Sequence, residues 1–259
     1  SQINKVTFSV NGGFVNLNEK SMTIDFEENS HYVESGNIFQ SKSNRKSHGH
    51  MGYFGGEASY ELDSRNLFTA EFDGFIYGLK PSVTSLADMK GLNGNTLYNY
   101  SQSNIPGTCQ NKYFSLEGGL NYQHNTHRQG EIIGVGYLVS TKHSNDNDGQ
   151  QYSELYNFPL PYTEAISNTT TDFIEHTFQF DYTRPIGNIH TIEVGSKYIL
   201  RNNNSKGIRD YVDYQIDKTD FSHITNIGAL YAQYGARVKA WSFRAGIRYE
   251  YSNLKAKFH

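Results

Sequence analysis

Residues 231–251 read YAQYGARVKAWSFRAGIRYEY, and this stretch decides the fold. Side chains alternate between the two faces of a β-strand, so the second half of the stretch has one apolar and one polar face. The apolar face carries Trp241, Phe243, Ala245, Ile247, Tyr249 and Tyr251. The other carries Ser242, Arg244, Gly246, Arg248 and Glu250. The first half repeats the split, which predicts an antiparallel hairpin with its turn at 239–240.

The same alternation recurs along the chain and predicts an all-β fold. Short polar turns are predicted at 63–66, 125–130, 185–189 and 239–240. Long polar loops are predicted at 26–36, 86–110, 145–161 and 205–219. Short turns at one end and long loops at the other are typical of a meander of tall antiparallel hairpins. About nine long strands are expected, at 4–25, 37–62, 66–85, 111–124, 131–144, 162–184, 189–204, 220–239 and 241–258.

Aromatic residues on the apolar faces indicate a membrane. One predicted belt lies beside the short turns and contains Tyr60, Phe68, Tyr122, Tyr182, Tyr234 and Trp241. A second contains Tyr137, Tyr198 and Tyr249, and Tyr77 joins it only if a bulge near Gly74 shifts the alternation. At about 3.3 Å per residue and a tilt of about 40°, the belts are expected roughly 20–25 Å apart. This is the height of the apolar band of an outer-membrane barrel.

Composition supports this interpretation and removes other classes of protein. The 259 residues include 20 Tyr, 16 Phe and 24 Gly, with a mean hydropathy of -0.65. A low average is compatible with a barrel, because alternation conceals its lipid-facing residues. A net charge of -3 indicates no nucleic-acid partner. The single Cys109 excludes an intrachain disulfide framework.

Chemical motifs are sparse, so neither an enzyme nor a bound cofactor is predicted. The pairs His48/His50 and His124/His127 have no carboxylate or thiolate at zinc spacing, and solvated histidines are expected instead. The sequence contains no glycine-rich phosphate loop and no nucleophile elbow.

Strand parity indicates a part of a larger barrel. Bacterial single-chain outer-membrane barrels have an even number of strands, whereas about nine are predicted here. Residues 1–259 are therefore expected to form one partial barrel domain, completed by further strands of a parent chain.

The hairpin at 231–251, with its YAQY strand and GIRYEY strand, resembles a barrel hairpin of TonB-dependent outer-membrane receptors. In particular it is similar to the outer-membrane β-barrel family of Gram-negative bacteria. Residues 58–74, ASYELDSRNLFTAEFDG, resemble an earlier hairpin of that family. The resemblance implies a roughly 22-stranded barrel with a plugged lumen, surrounded by outer-membrane lipid. It also implies uptake of a scarce nutrient, driven by the TonB complex, with the plug domain and the remaining strands in the parent chain.

Two groups of residues are candidates for binding. The polar strand faces are expected to line the lumen and to contact the plug through charge-assisted hydrogen bonds, or only to satisfy one another as a hydrated wall. The lumen candidates are Glu57, Glu71, Asp73, Glu117, Asp181, Arg237, Arg244 and Arg248. The long loops are expected to touch substrate first, or to form only a polar canopy. The loop candidates are Tyr98, Tyr100, Tyr152 and Tyr156.

Two other functions fit parts of the pattern. A complete small outer-membrane barrel would act as an anchor or adhesin, and strand parity distinguishes it from a transporter fragment. A soluble β-sandwich would bind carbohydrate, and it would pack the apolar faces into a core instead of exposing them in belts.

Overall fold

The computed structural model describes residues 2–3, 5–20 and 22–258, which form a single antiparallel sheet. Among these residues no helix is long and apolar enough to cross a bilayer. The strands are β1 (Gln2–Ile3), β2 (Val6–Leu17), β3 (Thr23–Tyr32), β4 (Asn37–Asp63), β5 (Asn66–Lys90), β6 (Thr96–Asn104), β7 (Gln110–Asn125), β8 (Ile132–Tyr156), β9 (Glu164–Ile186), β10 (His190–Tyr211), β11 (Gln215–Val238) and β12 (Trp241–Phe258).

Two positions in the sheet are each filled by two strands in succession. Strands β2 and β3 both pair with β4, at its second and first half respectively. Strands β6 and β7 both lie between β5 and β8. The twelve strands thus fill nine full-length positions, with the two-residue β1 at the edge beside β2. The prediction of an antiparallel meander of about nine long strands is confirmed, although the first predicted strand is broken between Leu17 and Thr23.

The short turns lie where they were predicted, but the predicted long loops are wrong in extent. Strands continue through most of them, leaving connections of 33–36, 91–95, 105–109, 157–163 and 212–214. The ladder continues because backbone hydrogen bonds form whatever the side chains are. Beyond the membrane both faces meet water, so the side-chain alternation that reveals a strand in the sequence disappears there. We call these two ends of the sheet the short-turn end and the long-hairpin end.

Register places the apolar side chains on one face, which we call the outer face. Strand β12 presents an apolar outer face from Trp241 to Tyr251, opposite Val238 to Gly228 on β11. Eleven residues at about 3.3 Å each and a tilt of about 40° cover roughly 25 Å of height, the apolar band of an outer-membrane barrel. Above it the outer positions are polar, as at Lys255. The upper parts of the hairpins therefore project beyond the membrane.

The predicted spacing of the two aromatic belts is correct for Trp241 and Tyr249, which lie eight residues apart on β12, but other tyrosines of the two belts lie closer together. Tyr198 on β10 pairs with Phe178, which is only four residues from Tyr182 of the lower belt. Tyr249 has the same relation to Tyr234 on the next hairpin. Four residues correspond to roughly 13 Å along a strand. The lower belt is broad, because Trp241 lies at its turn whereas Tyr182 and Tyr234 lie four residues inside their strands. The apolar band has the expected height, but the upper tyrosines lie within it.

The bulge that would have brought Tyr77 to the outer face is absent. Gly74 pairs with Phe54 in an unbroken ladder, so Tyr77 lies on the opposite face, which we call the inner face. Its ring stacks on that of Tyr113, with the centroids 5.3 Å apart. An uninterrupted alternation requires this position for Tyr77, because the odd-numbered residues of β5 face inward.

Two histidines on the outer face, within the apolar band, have hydrogen-bond partners. The hydroxyl of Tyr137 lies 2.8 Å from Nδ1 of His176, and the two rings are stacked. The hydroxyl of Tyr234 lies 2.6 Å from Nδ1 of His190 in the same manner. A polar atom facing hydrocarbon is costly unless it is hydrogen-bonded. These tyrosines therefore make the outer histidines compatible with lipid.

The described residues have no packed core of large side chains. The buried apolar residues are the small Ala87, Cys109 and Ala229, and no large side chain in this part of the chain is fully buried. The outer residues are exposed, with 49% of Val135, 43% of Phe180 and 75% of Ile247 accessible. A soluble sandwich buries such residues between two sheets. That alternative is wrong, because these side chains cover one face of a single sheet.

Candidate functional site

Four of the predicted lumen residues form one acidic patch on the inner face. Glu57 on β4 lies directly opposite Glu71 on β5. Asp73, two residues further along β5, lies opposite Glu117 on β7. All four side chains are exposed. The structure therefore brings these four candidates together on three adjacent strands, and we call them the acidic patch.

Glycines on neighbouring strands make room for this patch. A methyl group added at Gly119 would lie 2.6 Å from Oε1 of Glu71, and one added at Gly55 would collide with the carboxylate of Asp73. Real Cβ atoms do not approach oxygen so closely, so the carboxylates lie across space that only glycine leaves open. These in-strand glycines allow the close approach of side chains across the sheet.

The acidic patch has no cation from the described part of the chain within 4.0 Å. One hydrogen bond reaches the patch, a long one of 3.5 Å that the Ser59 hydroxyl donates to Oε1 of Glu57. Like charges directly opposite each other on a sheet are destabilising. The patch is therefore a surface on which added positive charge would be stabilising.

The inner face of β9 to β12 differs, because several of its charged side chains have partners. Oε2 of Glu175 lies 2.6 Å from the guanidinium of Arg201. The Tyr231 hydroxyl donates to Asp181, its ring crossing the strand in between. Arg248 lies 5.8 Å from the centre of that Tyr231 ring. We call these residues, which are Glu175, Asp181, Arg201, Tyr231 and Arg248 with its neighbour Glu250, the paired region.

Arg248 also contacts Glu250 at 2.8 Å, so this predicted plug contact is satisfied within its own strand. Arg237 and Arg244 lie lower on the β11–β12 hairpin, opposite Ser242 and Gly235, and both are exposed. The eight lumen candidates thus share one face, as the alternation predicts, but they occupy separate parts of it.

A cavity of about 360 Å³ lies between the acidic patch and the paired region. Its polar lining includes Glu71, Asn121, Gln123, Gln179, Asp181 and Lys197. Such a mixture of donors and acceptors suits hydrogen bonding to a polar partner. Asn121, Gln123 and Lys197 were not predicted as site residues, although they occupy the same polar alternation as the residues that were.

Three of the four predicted substrate tyrosines meet at the long-hairpin end. The rings of Tyr98 and Tyr100 stack at 6.2 Å, and Tyr100 meets Tyr152 edge-on at 5.6 Å. Phe158 packs against both Tyr100 and Tyr152, at 5.3 and 5.0 Å. These tyrosines lie on β6 and β8 instead of in loops. Their pairing partners place them on the inner face.

The cluster continues across the next hairpin through residues that the sequence did not single out. Tyr162 lies 6.3 Å from Tyr152, 4.6 Å from Tyr211 and 6.3 Å from Tyr214. Arg209 lies 6.0 Å from the Tyr211 ring. We call the four rings of Tyr152, Tyr162, Tyr211 and Tyr214, together with those of Tyr98, Tyr100 and Phe158, the aromatic cluster. Only pairing across the extended strands could have shown that these residues meet.

Partial burial gives the cluster a defined chemistry. Burial raises the pKa of the Tyr100 and Tyr152 hydroxyls above the usual value, and neighbouring tyrosines add to the effect. Both therefore remain protonated hydrogen-bond donors at neutral pH. Tyr156 is placed differently from the prediction: it pairs with Asn99, so it belongs to the face opposite Tyr98 and Tyr100.

The candidate histidines have ordinary partners. His48 lies 3.6 Å from Glu19, and His127 lies 3.0 Å from Arg65. In the described ranges no group of three or more His, Cys, Asp or Glu residues could hold a metal ion. The expectation of no cofactor and no catalysis stays a prediction.

Comparison with protein families agrees with this geometry. The profile of the outer membrane protein beta-barrel family matches residues 124–259, slightly more than half of the chain. The sheet, its apolar outer face and this match define an outer-membrane β-barrel protein. The chain belongs to the outer membrane protein beta-barrel family, and its location is the bacterial outer membrane. No curated protein matches the chain.

Proposed function

We propose that this chain forms part of the barrel wall of a TonB-dependent transporter that takes up a scarce nutrient. The observation that carries the proposal is the acidic patch, four inward carboxylates without a cation among the described residues. A plug domain in the lumen would supply lysine or arginine side chains to them. Charge-assisted hydrogen bonds of this kind are stronger than neutral ones.

The open sheet supports a larger barrel. Within the described ranges β12 pairs only with β11, and at the other edge β2 pairs only with β1 and β4. Each unpaired backbone group at a sheet edge costs roughly several kcal/mol in lipid. We infer that further strands of the parent chain complete the barrel. This favours the transporter over the alternative of a complete small barrel that acts as an anchor or adhesin.

The aromatic cluster supports a place of first contact with substrate. It faces inward at the long-hairpin end, which is the extracellular end in barrels of this kind. Ring faces and protonated tyrosine hydroxyls can stack on a ligand and donate hydrogen bonds to it. Substrate would pass from this cluster down the inner face. Energy would come from the TonB complex of the inner membrane through the plug.

Neutralising the acidic patch in the full-length protein tests the plug contact. We expect Glu71→Gln with Asp73→Asn to increase proteolysis of the plug in folded, membrane-embedded protein, because its cations lose their partners. Glu250→Gln is the matched control, since that carboxylate already pairs with Arg248. Unchanged proteolysis in the double variant, with an intact barrel, would contradict the plug contact.

Two further measurements separate transport from anchoring. Uptake that disappears when the TonB complex is removed supports a transporter. Deletion of the full-length protein that leaves growth on every nutrient unchanged but abolishes surface adhesion supports the anchor or adhesin.

The role of the aromatic cluster is tested separately. Tyr100→Ala with Tyr152→Ala should weaken substrate binding, with Tyr156→Ala on the opposite face as control. Equal substrate binding by the native protein, the Tyr100/Tyr152 double variant and the Tyr156→Ala control would show that the aromatic cluster takes no part in recognition.

A further inference from the structure

Two apolar grooves run over the outer face, within the band that lies in the membrane. The first groove has a volume of about 470 Å³. Ala58 and Ala70 lie directly opposite each other and form its floor. Tyr60, Leu120 and Tyr122 are among its walls. Small residues between large ones therefore leave a depression on β4, β5 and β7.

The second groove has a volume of about 560 Å³ and lies on β9, β10 and β11. Ser196 and Gly228 form its floor, between Phe180 and Leu230. The nearest atom to a methyl group added at Gly228 would be Cδ2 of Tyr198, at 3.9 Å. A side chain at Gly228 would therefore make only ordinary van der Waals contact, so the floor is not closely packed.

A single ridge separates the grooves. Val135 and Tyr137, both on β8, line the first groove and the second. The hydroxyl of Tyr137 is fixed by His176, so the ring cannot swing freely into either groove. The two depressions thus run side by side along one strand, as the two chains of a diacyl lipid would.

Positive charge lies just below the ridge, at the short-turn end. Arg128 is in the turn between β7 and β8, and Arg184 is on the outer face of β9; both are exposed. Hydrogen bonds from Thr126 and Tyr182, and then the charges of the two arginines, lower the pKa of Glu131 between them. Each Glu131 oxygen accepts one of these side-chain hydrogen bonds, and a guanidinium has five N–H donors, so each arginine can also donate to a second anion.

The surface around the short-turn end carries further positive charge. Lys5 and Arg65 add positive charge near the tip of the β4–β5 hairpin, where Asp63 is the acidic neighbour. The oxygens of Asp63 accept hydrogen bonds from the turn itself. From Ile132 at the start of β8 to Val135 is three residues, or roughly 10 Å. This leaves space for a glycerol unit between the turn and the ridge.

We propose that this surface binds one anionic glycerophospholipid of the periplasmic leaflet, with its phosphate between Arg128 and Arg184 and one acyl chain in each groove. The occupant follows from three features together. The grooves lie on the membrane-facing side, they are paired around one ridge, and the charge at their polar end complements a phosphate. Arginine suits this contact because its planar fork matches phosphate oxygens.

Native mass spectrometry of the full-length protein, extracted in mild detergent, tests the site. Phosphatidylglycerol is titrated against phosphatidylethanolamine of the same chains. We expect preferential retention of one phosphatidylglycerol. Arg128→Gln with Arg184→Gln should weaken its binding about tenfold and abolish the preference, because charge-assisted hydrogen bonds are lost. The control is Lys206→Gln, a cation on the outer face at the long-hairpin end.

A second set of variants tests the grooves. Ala70→Leu and Gly228→Leu should weaken the binding of both lipids equally, since each fills one groove without touching the head group. Ala245→Leu, on the outer face outside both grooves, should change neither affinity. Lysophosphatidylglycerol, with one chain, should bind about tenfold more weakly than the diacyl lipid, because one groove stays empty.

Several results would overturn the proposal. Equal retention by the double arginine variant and the Lys206→Gln control would remove the phosphate contact. Displacement of the lipid by inorganic phosphate alone would indicate a simple anion site. A lipid-free complex of two protomers would show that a second copy covers the grooves. Heat-modified mobility in gels confirms that each variant is folded before it is counted.

Discussion

The acidic patch and the paired region are parts of the same inner face, built by the same alternation, yet their charges are arranged differently. In the paired region Glu175 meets Arg201 at 2.6 Å, and Arg248 meets Glu250 at 2.8 Å. In the acidic patch Glu71 faces Glu57 across the ladder without a cation from the described residues. The charges of the paired region have partners within the sheet, whereas the acidic patch has no counter-charge among the described residues.

Water in the lumen is what permits this difference. Exposed like charges across a sheet cost only about 0.2–1 kcal/mol, because the solvent screens them. A sheet can carry an uncompensated patch at that small cost and recover it when a partner of opposite charge binds. The paired region gains rigidity and offers little to a partner. The comparison therefore separates the part of the wall that is complete from the part that is available.

The largest loss of stability is expected when a charged residue is introduced on the outer face, where no water screens its charge. Phe180→Arg should lower the free energy of unfolding by roughly 2–4 kcal/mol, most if the site is near the midplane. Gln179→Arg, the next residue on β9, faces the lumen and should cost far less. Denaturant titration in lipid vesicles measures both. Equal losses would contradict the assignment of the two faces.

Within the lumen, the larger effect belongs to the paired region. Arg201→Met should lower the free energy of unfolding by about 1 kcal/mol, because Glu175 loses its partner while both side chains remain partly hydrated. Glu175→Gln with Arg201→Met should recover part of that loss, since no unpaired charge remains. A single variant as stable as the native protein would show that the ion pair contributes nothing.

Much of this comparison could be read from the sequence. The alternation of Trp241 to Tyr251 predicts the faces, the hairpin and the inward position of Arg244 and Arg248, because a strand has only two faces. It cannot reveal which inward residues meet. The contact of Tyr231 with Asp181 depends on the register of three strands and on Gly195, whose missing side chain lets the ring cross.

The upper hairpins could not be predicted for a different reason. Polar residues such as Lys206 and Asp210 on β10 lie in the predicted loop 205–219 and follow no alternation, because both faces are in water there, yet the ladder continues through them. Six rings of the aromatic cluster accordingly lie in three predicted loops, and Tyr162 lies at the start of the predicted strand 162–184. The rings of the cluster were visible in the sequence, but their contacts required strands that the pattern did not indicate.

A smaller effect of opposite sign is expected in the acidic patch. Glu71→Gln should raise the free energy of unfolding of the barrel by about 0.5 kcal/mol, because it removes repulsion from Glu57 and Asp73. Glu250→Gln in the paired region should lower it instead. Measurements at low and high salt sharpen the contrast, since salt screens repulsion between exposed charges. A loss of stability in Glu71→Gln would contradict the absence of a counter-charge.

The smallest effect concerns Asp63, a carboxylate outside the lumen whose hydrogen-bond partners come from its own turn. Hydrogen bonds from the backbone N–H of Arg65 and the side chain of Asn66 lower its pKa below the usual 3.8. A lowered pKa contributes stability that is complete above the usual pKa and is lost as the pH falls through the folded-state pKa. Native protein should therefore lose slightly more stability on acidification than Asp63→Asn. Arg65→Ala keeps the backbone donor and should retain the pH dependence of the native protein, so an Arg65→Ala profile matching that of Asp63→Asn would show that the guanidinium, not the turn, sets this pKa.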